Sequence, residues 1–298
     1  MIEVSFIIPS YNSHKTIIKT LESIYQQKTF DCISEIIVVD SSDDTETRKN
    51  INDDKYKSKL KAILLDQKTS PALGRNMGAK EALGKLLFFI DSDVYLDETW
   101  LENIIKAYEG GCKAGGGSVS IPDFQSNNNL ALAQLYLQFN EFLQVGELRP
   151  ISMVPACNMF VEKELFDQVG GFPDIRASED VLLSLNIGKL TKLWFVPKAK
   201  CFHIFRESFQ SYYNNQIILG KYIIIYRRKM YPKWYYKGLW PVVLLPVFVI
   251  VKVTRIKLRI YKAGWQHYKK FVVSSPLFFL GLFYWSKGFI QGCQQKDN

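Results

Sequence analysis

The first 110 residues alternate strand-length apolar runs with helical patterns, and this alternation limits the folds open to the chain. Four runs have the length and the β-branched or aromatic content of strands: 3–8, 35–39, 61–65 and 85–90. After the first run, Ile17, Leu21 and Ile24 are spaced for one face of a helix, and Asn12 and Ser13 are predicted to cap it. Strand–helix alternation of this kind predicts an α/β fold with a parallel sheet covered on both faces.

A polar cluster follows each of these four runs. The clusters begin at Ser10, Asp40, Asp66 and Asp91. Because the carboxyl ends of parallel strands share one edge, the clusters are predicted to lie together there. Ligands bind at that edge in open α/β sheets, so position alone nominates these residues for a binding site.

Residues 111–210 have a less regular pattern. Residues 110–122 are typical of a strand entered through glycines, 127–145 of an amphipathic helix, and 193–197 of a last strand ending near His203. The acidic pair Glu179-Asp180 opens a further helical stretch. Neither an internal repeat nor a low-complexity linker is visible, so residues 1–210 are predicted to form one domain, with residues 211–298 as a separate region.

The separate region is basic and apolar. The chain has 38 Lys and Arg against 29 Asp and Glu, a net charge of +9, and the excess lies late in the sequence. Apolar runs at 238–251 and 271–290 flank seven basic residues and no acidic one. The first run is shorter than the roughly 20 residues of a spanning helix. An interfacial helical hairpin at an anionic membrane surface is therefore predicted, with two spans or a soluble region that buries the runs as alternatives.

The cysteines and the N-terminus bear on the compartment. Five cysteines are widely scattered, with no Cys-x-x-Cys pair, so neither a disulfide framework nor a zinc site is predicted. The first ten residues lack a basic segment followed by a long apolar stretch, and no signal peptide is expected. The predicted location is the cytoplasmic face of the cell membrane.

The triplet Asp91-Ser92-Asp93 is the strongest local signal for chemistry. It follows a buried strand directly, and two carboxylates held in such a turn can bind a divalent cation that also takes phosphate oxygens. On spacing alone, a solvated turn that caps the following helix is the more common explanation of such a triplet. The neighbouring sequence favours the cation site.

Several segments, in order, resemble the motifs of family 2 glycosyltransferases of the GT-A fold. These are FIIPSYN, IIVVDSSDD, SPALGRNMGAKEALGKLLFFIDSDV and VPACNMFVEKELFDQVGGFPDIRASEDVLLSLNIG. The resemblance covers roughly residues 2–210. It implies a Rossmann-like mixed sheet with a nucleotide-binding half at about 1–110 and an acceptor-binding half at about 111–210. The expected activity is transfer from a nucleotide-diphosphate sugar, most commonly a UDP-sugar, to a lipid-linked or other glycan acceptor.

The resemblance also implies roles for individual residues. The implied nucleotide-binding residues are Pro9, Tyr11, Asp40, Arg75 and Asp91. The implied ligands for Mn²⁺ or Mg²⁺ are Asp93, Asp91 and His203. Asp180 is the implied catalytic base of an inverting transfer, and Glu179 assists acceptor binding. Without the resemblance, Glu179 and Asp180 are typical of first-turn helix acids, and His203 of a structural histidine.

The sequence departs from the family pattern in places that bear on the number of sugars transferred. The stretch QSYYNNQIILGKY lacks the Arg-Trp of processive members, which favours addition of one sugar, and Leu219-Gly220-Lys221 stands where non-processive members have Tyr-Gly-Arg-Gly. Gly115-Gly116-Gly117 fits either a backbone close to the donor sugar or a tight bend at a strand edge.

Other classes of protein fit the sequence less well. The first strand is not followed by the Gly-x-Gly-x-x-Gly of a dinucleotide-binding enzyme or the glycine-rich basic loop of a nucleotidyltransferase. The basic residues alternate with aliphatic runs, which argues against nucleic acid as a partner. The remaining alternative is a membrane-surface scaffold or binding protein with a degenerate transferase domain.

Overall fold

The computed structural model describes residues 2–175, 177–231 and 233–295. Met1 and residues 296–298, the outer ends of the two predicted regions, lie outside this part, as does Arg176. The described residues form two compact units by their internal contacts. The first unit comprises residues 1–120 and 144–204, and the second comprises residues 121–143 and 205–298.

Nine strands lie in the first unit. They are β1 (Val4–Ser10), β2 (Ile33–Asp40), β3 (Leu60–Leu64), β4 (Leu86–Ile90), β5 (Val94–Leu96), β6 (Ala114–Ser120), β7 (Arg149–Ile151), β8 (Asn158–Glu162) and β9 (Leu193–His203). The four strands predicted in the first 110 residues are confirmed.

The α-helices belong to both units. They are α1 (Ile17–Tyr25), α2 (Thr45–Ile51), α3 (Pro71–Glu81), α4 (Trp100–Glu109), α5 (Asn129–Phe139), α6 (Lys163–Gln168), α7 (Glu179–Gly188), α8 (Phe209–Met230), α9 (Trp240–Val243), α10 (Leu245–Lys262) and α11 (Trp265–Gln294). The sequence pattern assigned the helix around 127–145 to the first domain, whereas α5 groups with the C-terminal helices in the second unit.

All nine strands form one mixed sheet in the order β3-β2-β1-β4-β8-β6-β9-β5, with β7 also paired to β9. Strands β1 to β4 are parallel to one another, as predicted. Strand β8 runs antiparallel to β4 and β6, and β5 and β7 run antiparallel to β9. The sheet is therefore the mixed α/β type expected from the resemblance.

The centre of the sheet is apolar on both faces. Strand β4, with the sequence LLFFI, is buried at every position, which is typical of a strand covered by helices on both sides. Phe89 of this strand packs edge-on against Phe172, with ring centroids 4.9 Å apart. Burial of β4 fixes the position of the Asp-Ser-Asp turn that follows it.

The glycines of β6 lie inside the sheet. A Cβ at Gly117 would lie 1.8 Å from the carbonyl oxygen of Ala199, and one at Gly116 would lie 2.3 Å from that of Asn158. The sequence suggested either a backbone close to the donor sugar or a bend at the strand edge. Neither describes this arrangement. The glycines instead allow neighbouring strands to approach closely.

The second unit is helical. Helix α11 packs along α8 and α5, and small residues bring α8 and α11 together: a Cβ at Gly220 would lie 1.9 Å from the carbonyl oxygen of Trp285. Tyr213 and Tyr284 stack with ring centroids 4.2 Å apart. Gly220, which stands where non-processive family members have Tyr-Gly-Arg-Gly, thus contributes to helix packing.

Both apolar runs are helical. The run at 238–251 forms α9 and the start of α10, and the run at 271–290 lies within α11, which continues through Pro276. Across the described residues, none of the helices is both long enough and apolar enough to traverse a bilayer.

Candidate active site

The polar clusters meet at one edge of the sheet, as predicted. Ser10 at the end of β1 is in register with Asp40 at the end of β2, and Asp91 follows β4, which pairs with the other side of β1. Pro9 is partly exposed and in register with Val39. The edge therefore carries side chains from at least three neighbouring strands.

An exposed aromatic residue lies at the end of β1. Tyr11 donates a 2.6 Å hydrogen bond to Asp43 Oδ2, and the Lys68 Nζ lies 3.8 Å from the centre of its ring. The hydrogen bond to Asp43 also raises the pKa of Tyr11. The exposed face and the adjacent cation suit a flat, anionic ligand such as a nucleotide.

Asp40 lies beneath this surface. Its side chain is fully buried, accepts a 2.6 Å hydrogen bond from the Ser42 hydroxyl and lies 3.7 Å from Arg48 Nε. Ser42 in turn accepts a hydrogen bond from the backbone N–H of Asn12. Asp40 thus fixes the loops after β1 and β2, and its contact with a nucleoside stays a prediction.

A buried guanidinium joins the two acidic motifs of the site. Arg75 Nη2 donates to Asp91 Oδ1 at 2.6 Å, and Nη1 donates to Glu179 Oε1 at 3.0 Å. The Arg75 side chain is 4% exposed. Burial alone lowers the pKa of the guanidinium, but the attraction of both carboxylates outweighs it and raises the pKa above its usual value. Arg75 therefore remains cationic and holds α3, the turn after β4 and the start of α7 together.

Asp180 is the titratable group with the most distinctive environment in the site. Partial burial, followed by the negative charge of Glu179, raises the pKa of its carboxyl to about 7. Arg75 and the backbone N–H groups of Val181 and Ala156 act in the opposite direction. A carboxylate with a pKa near neutrality can accept a proton from a reacting hydroxyl.

The backbone before this pair is held in an uncommon conformation. Ser178 has a φ of 71°, in the left-handed region that a residue with a side chain rarely adopts. Helix α7 begins at the next residue, so Glu179 and Asp180 lie in its first turn, as predicted. Non-glycine residues in this region often lie at functional sites.

Strand pairing brings Asp93 and His203 together. Val94 of β5 is in register with His203 of β9, and the backbone N–H of Ile204 donates to the carbonyl of Asp93 at 2.8 Å. His203 Nε2 lies 3.9 Å from Asp93 Oδ1. The other ring nitrogen, Nδ1, lies 3.1 Å from the Ile204 carbonyl oxygen, which can only accept a hydrogen bond. In a neutral ring, a hydrogen bond to this carbonyl requires the proton on Nδ1, which leaves Nε2 able to bind a metal ion.

This pair fits a divalent cation that takes its other ligands from a substrate. A carboxylate oxygen and an imidazole nitrogen are both ligands for Mn²⁺, and Mg²⁺ sites commonly use one or two carboxylates plus phosphates and water. In the described part of the chain, His, Cys, Asp and Glu side chains form no group of three or more suited to a metal ion. Asp91, the third implied ligand, pairs with Arg75 through Oδ1, and its role as a metal ligand stays a prediction.

Sequence reasoning did not identify every residue of this site. Lys68 has no local signal, and its contact with Tyr11 depends on the fold. The resemblance implies a nucleotide contact for Asn76, next to Arg75, but no structural role; in the structure it exchanges hydrogen bonds with the backbone of Phe172 at 2.7 and 2.9 Å. It positions the segment before α7. Pairing of Arg75 with Glu179, 104 residues apart, was likewise not predicted.

Comparison with known protein families gives one match that covers more than half of the chain. The model of glycosyl transferase family 2 matches residues 5–170.

Curated proteins with similar sequences include two glycosyltransferases. The chain is 28% identical over 174 residues to glycosyltransferase AglE of Haloferax volcanii, covering 57% of this chain and 56% of that protein. It is 31% identical over 188 residues to the Escherichia coli UDP-Glc:alpha-D-GlcNAc-diphosphoundecaprenol beta-1,3-glucosyltransferase WfaP, covering 62% and 69%. The similarity to AglE thus spans little more than half of that protein.

Solved structures extend the likeness over almost the whole chain. Mannosyltransferase PcManGT from Pyrobaculum calidifontis, in complex with GDP-Man and Mn²⁺, matches with a TM-score of 0.65 at 16% identity, covering 99% of this chain and 88% of that one. Residues 1–349 of Staphylococcus aureus TarS, in complex with UDP-GlcNAc, match with a TM-score of 0.57 at 17% identity, covering 97% and 92%. At these identities the likeness shows the fold, which is the GT-A type.

Proposed function

The chain belongs to glycosyl transferase family 2, and from this premise we propose that it transfers one sugar from a nucleotide-diphosphate sugar to a hydroxyl of a lipid-linked or other glycan acceptor. The observation that carries the proposal is the network of Asp91, Arg75 and Glu179, which ties the donor-side acidic turn to the helix that begins with Glu179 and Asp180. In this proposal, the residues that act on the donor and those that act on the acceptor hydroxyl are linked by one guanidinium.

In the proposed reaction Asp180 is the general base. It takes the proton of the acceptor hydroxyl while that oxygen bonds to the anomeric carbon, and the bond from this carbon to the diphosphate oxygen breaks. A single displacement of this kind inverts the anomeric centre. A pKa of about 7 for Asp180 suits this role, since a base is most effective when its pKa lies near the working pH.

Other residues of the site bind and orient the donor. The exposed Tyr11 ring, with Lys68 above it, offers a stacking surface for the nucleobase, and Pro9 lies two residues earlier, near the end of β1. Asp93 and His203 would hold Mn²⁺ or Mg²⁺, which offsets the negative charge that develops on the leaving diphosphate. A UDP-sugar is the first donor to test, because WfaP is named for UDP-Glc and the TarS structure is a complex with UDP-GlcNAc.

Membrane contact is the second part of the proposal. On α11, Trp265, Val272, Phe279 and Phe283 follow one another at intervals of seven, seven and four residues, and each is at least 50% exposed. Such an apolar stripe among basic residues is typical of a helix lying in a membrane interface. The proposed location is the cytoplasmic face, where a lipid-linked acceptor such as the one in WfaP's name is accessible.

Titration of nucleotides tests the donor site. We expect one of UDP, GDP and TDP to bind the purified full-length protein more tightly with Mn²⁺ than without it. Asp93→Asn should abolish the metal-dependent part, whereas Asp54→Asn, at a carboxylate that is 85% exposed in the connection between α2 and β3, should not. Absence of binding by folded protein would contradict the transferase proposal and favour the scaffold alternative.

Two further experiments test the reaction and the membrane contact. With the preferred nucleotide known, NMR of the product's anomeric proton distinguishes inversion from retention, and retention would rule out the single displacement. Phe279→Ser with Phe283→Ser should reduce co-sedimentation with anionic vesicles, whereas Leu83→Ser with Leu190→Ser, which removes exposed apolar side chains from the first unit, should not. Equal binding by both double variants would contradict the membrane contact.

A further inference from the structure

The second unit contains a cavity of about 680 Å³. Helices α8, α10 and α11 line it together with the aromatic segment Trp234–Tyr236. Its lining combines basic side chains with aromatic and aliphatic ones, and no residue of the catalytic network belongs to it. A ligand that fits this lining has both an anionic and an apolar part.

The basic side chains of the cavity are Arg227, Lys252, Arg255 and Arg259. Arg259 pairs with Glu141 at 2.8 Å and also donates to Asn140. Within the described ranges no carboxylate forms an ion pair with any of the other three. Between Glu207 and Asp297 the sequence contains fifteen Lys and Arg and no acidic residue, so this region of the chain supplies no acidic partner of its own.

Lys252 combines burial with the repulsion of the neighbouring cations. Burial lowers the pKa of its ammonium to about 8, helped by the positive charges of Arg227, Arg255 and Arg259. The ammonium lies 4.5 Å from the centre of the Trp285 ring, and the Arg227 guanidinium lies 5.8 Å from that of Tyr236. These aromatic contacts hold the cations in place without neutralising them. A bound anion would remove the repulsion.

The apolar part of the lining leads to the surface. Val247 and Val251 line the cavity and are 52% and 50% exposed, and Trp234 is 61% exposed. Leu258, seven residues after Val251 on the same face of α10, continues the exposed apolar surface. A hydrocarbon chain leaving the cavity would therefore meet apolar side chains rather than water.

We propose that this cavity binds the phosphate headgroup of an anionic membrane lipid, with Lys252 and Arg255 contacting the phosphate and Val247 and Val251 contacting the adjoining hydrocarbon. A lipid supplies both the charge and the apolar chain that the lining requires, whereas inorganic phosphate supplies only the charge. The inference deepens the proposed membrane contact and rests on it, but it does not depend on sugar transfer.

Soluble short-chain lipids test the site without a membrane surface. Dihexanoyl phosphatidic acid, below its micelle concentration, is titrated into the full-length protein, with dihexanoyl phosphatidylcholine and inorganic phosphate as comparisons. We expect phosphatidic acid to bind at least about tenfold more tightly than either, since a charge-assisted contact and an apolar contact act together.

Matched variants on α10 separate the cavity from general surface charge. Lys252→Gln with Arg255→Gln should weaken binding of phosphatidic acid about tenfold or more. Lys257→Gln with Lys262→Gln removes the same charge from exposed positions that do not line the cavity, and should change it less than about twofold. If the double variant of Lys252 and Arg255 does not fold, the single variant Arg255→Gln, at an exposed position, takes its place.

The outcomes distinguish this proposal from the others. Equal weakening by both double variants, or binding of inorganic phosphate as tight as that of phosphatidic acid, would overturn the lipid site. If the protein binds anionic vesicles but not dihexanoyl phosphatidic acid, the lipid site is wrong and the proposed membrane contact is still supported. Binding of phosphatidic acid by protein that binds no nucleotide would support the cavity while the transferase proposal fails.

Discussion

Arg75 Nη1 lies 3.0 Å from Glu179 Oε1 and so connects two motifs that are 104 residues apart in the sequence. The same guanidinium reaches Asp91 with its other terminal nitrogen. One cation therefore compensates two carboxylates inside the site, and the position of Asp180 depends on it.

Replacement of this cation tests its structural role. Arg75→Met leaves Asp91 and Glu179 without their partner, and we expect a loss of about 3 kcal/mol in the free energy of unfolding, measured in urea. Lys61→Met, which removes one partner of the exposed Lys61–Glu81 pair, should cost less than about 1 kcal/mol. Similar losses in the two variants would show that Arg75 contributes no more than a surface ion pair.

The pH dependence of transfer should follow Asp180. With a pKa of about 7, its carboxyl is protonated and inactive as a base at lower pH. We expect kcat/KM to fall about tenfold for each pH unit below about 6 and to level off above about 8. A profile that stays flat from about pH 5.5 to 8 would exclude Asp180 as the base.

Asp180→Asn should lower kcat by about 10²- to 10⁴-fold, the range of general-base contributions. Asp167→Asn, which removes an exposed carboxylate that pairs with Lys163 on α6, is the control and should leave kcat unchanged.

The same carboxyl makes stability depend on pH. The pKa of this carboxyl is about 7 in the folded protein, against 3.8 for an unperturbed aspartate such as that of the unfolded chain. Its ionisation is therefore less favourable in the folded chain. Its contribution to stability is present below about pH 4 and is lost as the pH rises through about 7. Asp180→Asn should therefore raise the Tm relative to the parent protein at pH 8 and not at pH 4. A Tm difference that is the same at both pH values would contradict the raised pKa.

Metal-dependent donor binding should require His203. We expect His203→Ala to weaken nucleotide binding about tenfold in the presence of Mn²⁺ and to leave metal-free binding within about twofold, as measured by titration calorimetry. His14→Ala removes a partly exposed histidine near Asp44 and Glu46 and should have no effect on either. Equal loss with and without Mn²⁺ would indicate a structural role for His203.

Much of the fold follows from local sequence patterns. Burial on both faces makes β4 a continuous apolar run, and the acidic cluster after it necessarily lies at the carboxyl edge of the sheet. The match of residues 5–170 confirms the family inferred from several ordered motifs. These features depend on residues that are close together in the chain.

Features that depend on tertiary contacts were not predicted correctly. Asn12 and Ser13 were expected to cap α1, but the N-cap is Thr16, and the Asn12 side chain instead accepts from the backbone of Asp43. Helix α5 ends at Phe139 rather than 145, and the following Asn140 accepts a hydrogen bond from Arg259. In each case a polar side chain binds a distant segment, and local propensity contains no information about that partner.

The glycines of β6 provide a test of packing inside the sheet. A Cβ at position 117 would lie 1.8 Å from the Ala199 carbonyl oxygen, which belongs to the backbone of β9 and cannot rotate away. Gly117→Ala should therefore cost about 1–3 kcal/mol of unfolding free energy, measured in urea, because β6 and β9 must separate. Gly188→Ala is the control: apart from the neighbouring backbone of its own helix, no atom lies within 4 Å of the new Cβ, and stability should be unchanged or rise by up to about 1 kcal/mol. If Gly117→Ala were as stable as Gly188→Ala, the close approach of β6 and β9 would not be a constraint on this sheet.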